Sequence, residues 1–302
     1  AAWLSFTRAN MNKDEIAVGT LDNVMLPPGY QYSVLHATGD ALDAALPAYS
    51  NTGAETDDWS RRIGDHHDGM DIYYVDANGR YSDKETTRAV LCVNHESSAD
   101  SHFLHPNGQT SNGVSGKKFD QFGEWDLGTR PELEVLKEIN LHGVSVVEIV
   151  KGPQGWRIQQ DSPLNRRITA QTPMRVSGPR AHIEHVRNHM VTRWDTAGAM
   201  TRGTLNNCGT GKTPWGSFLT GEENWAGYFR RDNSGAGTDN AARSPHAPAS
   251  DREMGSAEAV PVDDLAVALA RVHHVARRHR LALVVVGVRP ARHDHLLEVA
   301  AR

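Results

Sequence analysis

Short apolar segments divided by turn chemistry run from about residue 20 to residue 235, and this rhythm constrains the fold more than any other feature. Met70–Val75 leads into Asp76-Ala77-Asn78-Gly79. Asn-Gly between apolar runs is a strong hairpin signal, because both residues tolerate the positive φ that a tight turn needs. Val144–Val150, followed by Lys151-Gly152-Pro153-Gln154-Gly155 and Trp156-Arg157-Ile158, reads as a second hairpin. Met190–Trp194 and Trp215–Leu219 read as further strands. One short helix is expected over Pro131–Leu141, capped by Thr129 and stopped by Gly143, with Leu133, Leu136 and Ile139 on a partial apolar face. Many short strands and little helix predict a mainly β protein: a sandwich, a barrel or a propeller. The sequence shows no clean repeat at about 40–45 residues that would select the propeller.

The 302 residues give room for one large or two ordinary domains. A formal net charge of -5 sets the chain apart from general nucleic-acid binders, which carry a basic face. The longest apolar run, Leu281–Val288, is too short to cross a bilayer, so no membrane span is expected. The chain opens Ala1-Ala2-Trp3, with neither an initiator Met nor a signal peptide, as a processed or trimmed protein would. Two cysteines allow at most one disulfide. Cys92 lies in an apolar strand pattern, where a small buried thiol is the plain reading. Cys208 lies in a polar, Gly-rich turn, and a Cys92–Cys208 bridge is the less favoured alternative.

The chemistry concentrates in Gly203–Asn224, which holds Cys208, a Gly-rich turn, a short aromatic and apolar strand, and the adjacent Glu222 and Glu223. Carboxylates at the end of a buried strand are costly unless something holds their charge. A bound cation is one physical solution, since a thiolate and a carboxylate flanking one turn can reach the same metal. Strand alternation sends Glu222 and Glu223 to opposite sides, which leaves open the one that faces a metal. Gly211-Lys212-Thr213 suggests a phosphate-binding loop and fails as one. Asn206 stands where the first glycine is required, and Pro214-Trp215 follow where a helix should begin.

Other candidates are weaker. His95-Glu96 begins like a zinc-binding helix, but Ala99 stands where the second histidine is needed. Glu96, at a strand end, is a second-tier ligand candidate, against a hydrogen-bonded loop pair as the plain alternative. Asp65-His66-His67-Asp68-Gly69 offers four ligands in succession, yet adjacent residues rarely all reach one ion, so a solvated turn is expected. His182, His185 and His189 recur at helical spacing and read as a surface face. Arg166 and Arg167 can contact phosphate, although two consecutive arginines more commonly form surface ion pairs.

Taken in order, five blocks resemble the PhoX-type alkaline phosphatases. They are Pro27-Pro28-Gly29-Tyr30, Arg88–Glu96, His142–Ile149, Asn165–Thr169 with Thr172-Pro173-Met174, and Gly203–Asn224. The resemblance covers about residues 20 to 240. It implies a six-bladed β-propeller with metals at its central channel and polar loop insertions such as Ser50–Ser60 and Ser97–Phe122. It also implies Fe3+ bound by Cys208, a neighbouring metal bound by Glu223, and Ca2+ as a second cofactor. The implied reaction is hydrolysis of small-molecule phosphate monoesters in the periplasm or outside the cell. A monomer with no nucleic-acid partner is expected. The rival reading is a non-catalytic β-propeller that binds a ligand or a partner protein.

The expected organisation is an N-terminal extension over 1–19, a PhoX-like propeller portion over 20–240 and an atypical tail over 241–302. From Ala241 onward there is no Asn, Lys, Gln, Ile, Thr, Phe, Tyr, Trp or Cys, the pattern of a GC-rich gene read in an unintended frame. A genuine small appendage is the alternative, since Asp263–His279 can be amphipathic. With a tail foreign to the family, the propeller would be incomplete, the residues that hold phosphate would be missing, and turnover would be poor. Such a tail is expected to pack little against the sheets.

Overall fold

The computed structural model describes residues 24–27, 29–96, 104–117, 126, 128–191 and 194–223, together with the backbone of 285–287 and 298–300. The expected 1–19 extension and most of the 241–302 tail lie outside these residues. The described chain is mainly β, as expected. Strands β1 (His67–Tyr74) and β2 (Arg88–His95) form a hairpin, and a small ribbon of β3 (Gln109–Ser111) and β4 (Val114–Lys117) follows. A second hairpin then pairs β5 (Gly143–Gly152) with β6 (Gly155–Ile158), and the short β7 (Arg166–Ile168) also pairs with β5. The main sheet runs β1-β2-β5-β6 in space, and all its pairs are antiparallel.

Strand β2 organises this sheet because Ala89–Val93 is apolar at every position, so both of its faces must be covered. On one face Val90, Cys92, Val144 and Val146 pack with Tyr73, Ile168, Met174 and Phe218. On the other, Ala89, Leu91, Val93 and Ile149 pack with Leu35, Met70 and Ile72, and Val147 packs with Leu42 and Ile63. The β2–β5 ladder runs without a slip from Arg88↔Val150 to His95↔Gly143. Gly143 has φ +100, and a Cβ there would lie 2.0 Å from the Ile168 carbonyl oxygen, so only glycine can start β5.

Both sequence-derived hairpins are present. Asp76 N–H donates to the Arg80 carbonyl across Asn78-Gly79, and Gly152 pairs with Gly155 across Pro153-Gln154. Cys92 and Cys208 are both free thiols, so the bridge alternative falls. The Ser97–Phe122 segment is more than a polar loop, since it carries the β3–β4 ribbon.

The helices differ from expectation. Helix α1 (Glu132–Asn140) forms where the sequence places it, but Pro131 is its cap and makes no side-chain cap bond, while Thr129 bonds elsewhere. Its buried face is rotated: Leu133 is 63% exposed, and Val135 is buried. The cause is an ion network on the inner face, where Arg130 binds both Glu134 and Glu138 and Glu138 also binds His105 and Gln109. A second helix, α2 (Glu184–Met190), takes Met190, which was expected to begin a strand.

Strands β8 (Pro173–Ser177) and β9 (Met200–Arg202) pair with each other, as do β10 (Asn207–Lys212) and β11 (Phe218–Glu222). The strand expected from Trp215 starts three residues later. Pro214-Trp215-Gly216 instead forms the turn, closed by a Thr213 N–H bond to the Ser217 carbonyl. In the tail, β12 (Val285–Gly287) pairs with β13 (Glu298–Ala300), and β13 runs parallel beside β8. At Glu298–Ala300 the tail, expected to pack little against the sheets, instead joins one of them.

His36, His95 and His142 are buried near the sheet, and His67 is half-buried beside them. His36 Nδ1 lies 3.0 Å from His67 Nε2, and the His67 ring meets the His95 ring edge-on at 4.9 Å. Burial lowers the pKa of His36 to about 4, helped by the Arg167 charge, and burial likewise lowers His142 to about 4. In the unfolded chain both return to about 6.5. The unfolded state therefore binds more protons between pH 6.5 and 4, so stability is complete above that window and lost as pH falls through it. We expect the urea midpoint to drop between pH 7 and pH 5, by about 2 kcal/mol for each such histidine. His36→Gln should flatten that slope, and an unchanged slope would refute the assignment.

Candidate metal centre

Two irregularities in the ladders build the site. Between His67↔His95 and Met70↔Val93, β1 gains one residue relative to β2, and between Asn207↔Glu222 and Thr210↔Thr220, β10 gains one relative to β11. A bulge of this kind bends the strand and re-aims a side chain. The first contains Asp68 and the second contains Cys208. Glu96 follows directly after β2 and is fixed by its N–H bond to the His66 carbonyl. Ligand atoms of Asp68, Glu96 and Cys208 all lie within 4.8 Å of one another.

Glu223 stands beside this group: its N–H donates to the Asn206 carbonyl, and its carboxylate, like that of Asp68, is close enough to raise the Cys208 pKa. Glu222 turns the other way: its Oε1 accepts from Thr204 Oγ1 at 2.8 Å and from the Leu205 N–H at 3.1 Å. Of the four residues singled out in the sequence, Cys208, Glu96 and Glu223 come together, while Glu222 anchors the Thr204–Leu205 turn. Asp68 is the member of the group that the sequence did not single out. The reasoning against its motif assumed that all four ligands of the run must reach one ion, and the structure divides them. Asp65 binds His66 and Thr38, His67 packs against His36 and His95, and only Asp68 reaches the cluster. The run is therefore not a solvated turn.

The two strand ends are tied together by side-chain amides. Asn94 Nδ2 donates to the Cys208 carbonyl at 2.8 Å and the Gly209 carbonyl at 3.1 Å, and Asn206 Nδ2 donates to the Glu96 carbonyl at 2.8 Å. His142 Nδ1 also lies 3.0 Å from that Glu96 oxygen. Gly69 permits close approach from β1, since a Cβ there would lie 2.6 Å from the Cys208 carbonyl oxygen.

The electrostatics are those of crowded acids. Asp68 and then Glu223, by accepting the thiol proton, push the Cys208 pKa above its ordinary value, and burial adds to the rise. Burial first, then the charges of Asp68 and Glu223, raise the Glu96 pKa. A cation would reverse both effects, because it favours the deprotonated form of every group that faces it. The donor set fits the two ions expected: a ferric ion accepts thiolate with carboxylate, and calcium takes carboxylate oxygens.

Three weaker candidates resolve differently. Lys212 lies in β10, bound to the Ile72 carbonyl and to Asp71, so Gly211-Lys212-Thr213 is strand and cradles no phosphate. His182 and His185 are exposed, as expected, and the His189 side chain lies outside the described residues. Arg167 is no surface ion pair: it is buried, with Nη2 donating to the Asn140 and His142 carbonyls, and burial lowers its pKa to about 9.

The family model described as alkaline phosphatase PhoX matches residues 11–270. The chain belongs to the PhoX family. The match runs past the expected boundary at residue 240. Among solved structures, the chain is similar to Pseudomonas fluorescens PhoX in complex with vanadate, a transition state analogue. Sequence identity is 28%, the TM-score is 0.69, and the similarity covers 95% of this chain and 43% of that one. The chain thus spans less than half the length of the Pseudomonas protein. No curated protein sequence matches it.

The close contact at Gly69 gives a direct test of the site's construction. Gly69→Ala places a methyl group 2.6 Å from the Cys208 carbonyl and 2.9 Å from Thr210 Cβ. It should force β1 and β10 apart at a cost of about 1–3 kcal/mol. Urea denaturation measures that cost, and a variant as stable as the parent would show that the two bulges do not touch as described.

Proposed function

We propose that this chain carries part of the metal centre of a phosphatase that hydrolyses phosphate monoesters with iron and calcium. The observation that supports it best is the convergence of Asp68, Glu96 and Cys208 within 4.8 Å in a chain of the PhoX family. In this reading Cys208 binds Fe3+, and Glu223, Glu96 and Asp68 supply oxygens to Fe3+ or Ca2+. When bound, such cations supply Lewis-acid charge that offsets the negative phosphoryl group. The similar Pseudomonas protein holds vanadate, a transition state analogue, which supports a phosphate ester as the ligand class.

The chain's own residues bind and orient. Metal loading requires the Cys208 sulfur to give up its proton, because the thiolate is the ligand form. The neighbouring carboxylates raise the Cys208 pKa and so favour its thiol form, and loading should therefore strengthen as pH rises. Glu222 keeps the Thr204–Leu205 turn against β11 and so fixes the approach of Cys208.

A six-bladed propeller is proposed as the architecture of the whole protein. The antiparallel β1-β2-β5-β6 path of the main sheet supports it, since four antiparallel strands are the form of a propeller blade, and the short β7 adds a fifth strand beside β5. A monomer in the periplasm or outside the cell is proposed with it. Among the described residues no helix is long and apolar enough to cross a membrane.

Metal analysis of the purified chain after loading with Fe3+ and Ca2+ tests the reading. Cys208→Ser should lose bound iron by on the order of tenfold or more while keeping its fold by circular dichroism. Hydrolysis of a simple aryl phosphate by the loaded protein should cease on chelation. Equal iron content in parent and variant would overturn the assignment.

A further inference from the structure

We infer that Asn94 and Asn206 form a reciprocal clasp that sets the separation of Glu96 and Cys208, acting as positioning residues for the cluster. The pattern is symmetric. Each asparagine stands two residues before a cluster residue on its own segment, and each donates its amide to the backbone carbonyl of the cluster residue on the other segment. Asn94, on β2, holds Cys208, while Asn206, at the entry to β10, holds Glu96. The two cluster residues therefore cannot separate without breaking an amide bond at one strand or the other.

The choice of asparagine needs an explanation beyond stability. Both side chains are buried, and Asn94 is fully inaccessible. Among the described residues neither Oδ1 has a partner, so each residue buries one satisfied and one unsatisfied end. An apolar side chain would avoid the cost of that oxygen. Asn94 spends both amide hydrogens on the Cys208 and Gly209 carbonyls, within the bulge that aims the thiol.

At Asn206 the backbone lies at φ +52, a region that asparagine tolerates and glycine tolerates better. Backbone conformation alone would thus accept glycine at 206. Only the bond to the Glu96 carbonyl distinguishes asparagine from it. The other contacts of residue 206, including the Glu223 N–H bond to its carbonyl, are made by the main chain and survive the change.

The role as metal positioner rests on the proposed metal centre, whereas the clasp itself does not, and the experiment separates them. Asn206→Gly removes the amide bond while keeping the backbone conformation. Asn206→Asp keeps the shape but replaces the donor with an acceptor. Asn51→Gly, at an exposed position with φ +59, controls for added glycine. In the metal-free chain, the rate at which Cys208 reacts with an aromatic disulfide reagent is measured, Cys92 being sealed in the core. In the iron-loaded chain, the thiolate-to-iron absorption band and the iron affinity are measured.

Asn206→Gly should react about tenfold faster at Cys208, and the iron affinity of both Asn206 variants should fall by about 10–100-fold. Asn51→Gly should do neither, and thermal melting should show that all three stay folded. Reaction rates and absorption bands matching the parent would overturn the clasp. Faster reaction in Asn206→Gly, with no iron band in the parent itself, would uphold the clasp and overturn the metal reading.

Discussion

The pairing of β2 with β5 is the constraint on which the rest depends. Eight consecutive residue pairs hold without a slip, and the register fixes which side chains enter each of the two cores. A one-residue slip would exchange the faces, sending Cys92 and Val90 where Leu91 and Val93 now pack. The same ladder ends at His95↔Gly143, so it also determines where Glu96 emerges. The cluster is thus placed by hydrophobic sorting some distance away from it.

What the sheet places, the polar groups around its end hold. The acids of the cluster repel one another, and hydrogen bonds to backbone carbonyls keep their segments together. Behind them lies a second buried polar region, where His36, His67 and His95 share space with the Arg167 cation. Each of these histidines feels that charge, and burial drives each toward its neutral form. The three imidazoles are therefore held neutral beside a buried cation.

Much of the β architecture was legible because it depends on local signals. Asn78-Gly79 and Lys151–Gly155 specify their hairpins through turn chemistry, and the unbroken apolar run at Ala89–Val93 announces a strand covered on both sides. Helix α1 was legible in extent but not in facing, because its inward side is chosen by Glu138, which binds His105 and Gln109 from a separate segment as well as Arg130. At the cluster, the short distance in sequence between Cys208 and Glu223 made that pair readable. Asp68 was not, because its position depends on an extra residue in a ladder, and alternation carries no sign of where a bulge falls. The buried Arg167 was misread for a similar reason: Asn140 and His142, whose carbonyls receive it, are remote in sequence.

The bulges carry a further meaning for how such a site can be gained or lost. Each consists of one surplus residue, so removal of a single codon from either would restore an uninterrupted ladder. The strands would still pair and both cores would still fill, while Asp68 or Cys208 would rotate away from its companions. The candidate cluster and the folding of the sheet are therefore separable here by the smallest in-frame deletion. A lineage carrying this domain can shed the one and keep the other without passing through an unfolded ancestor.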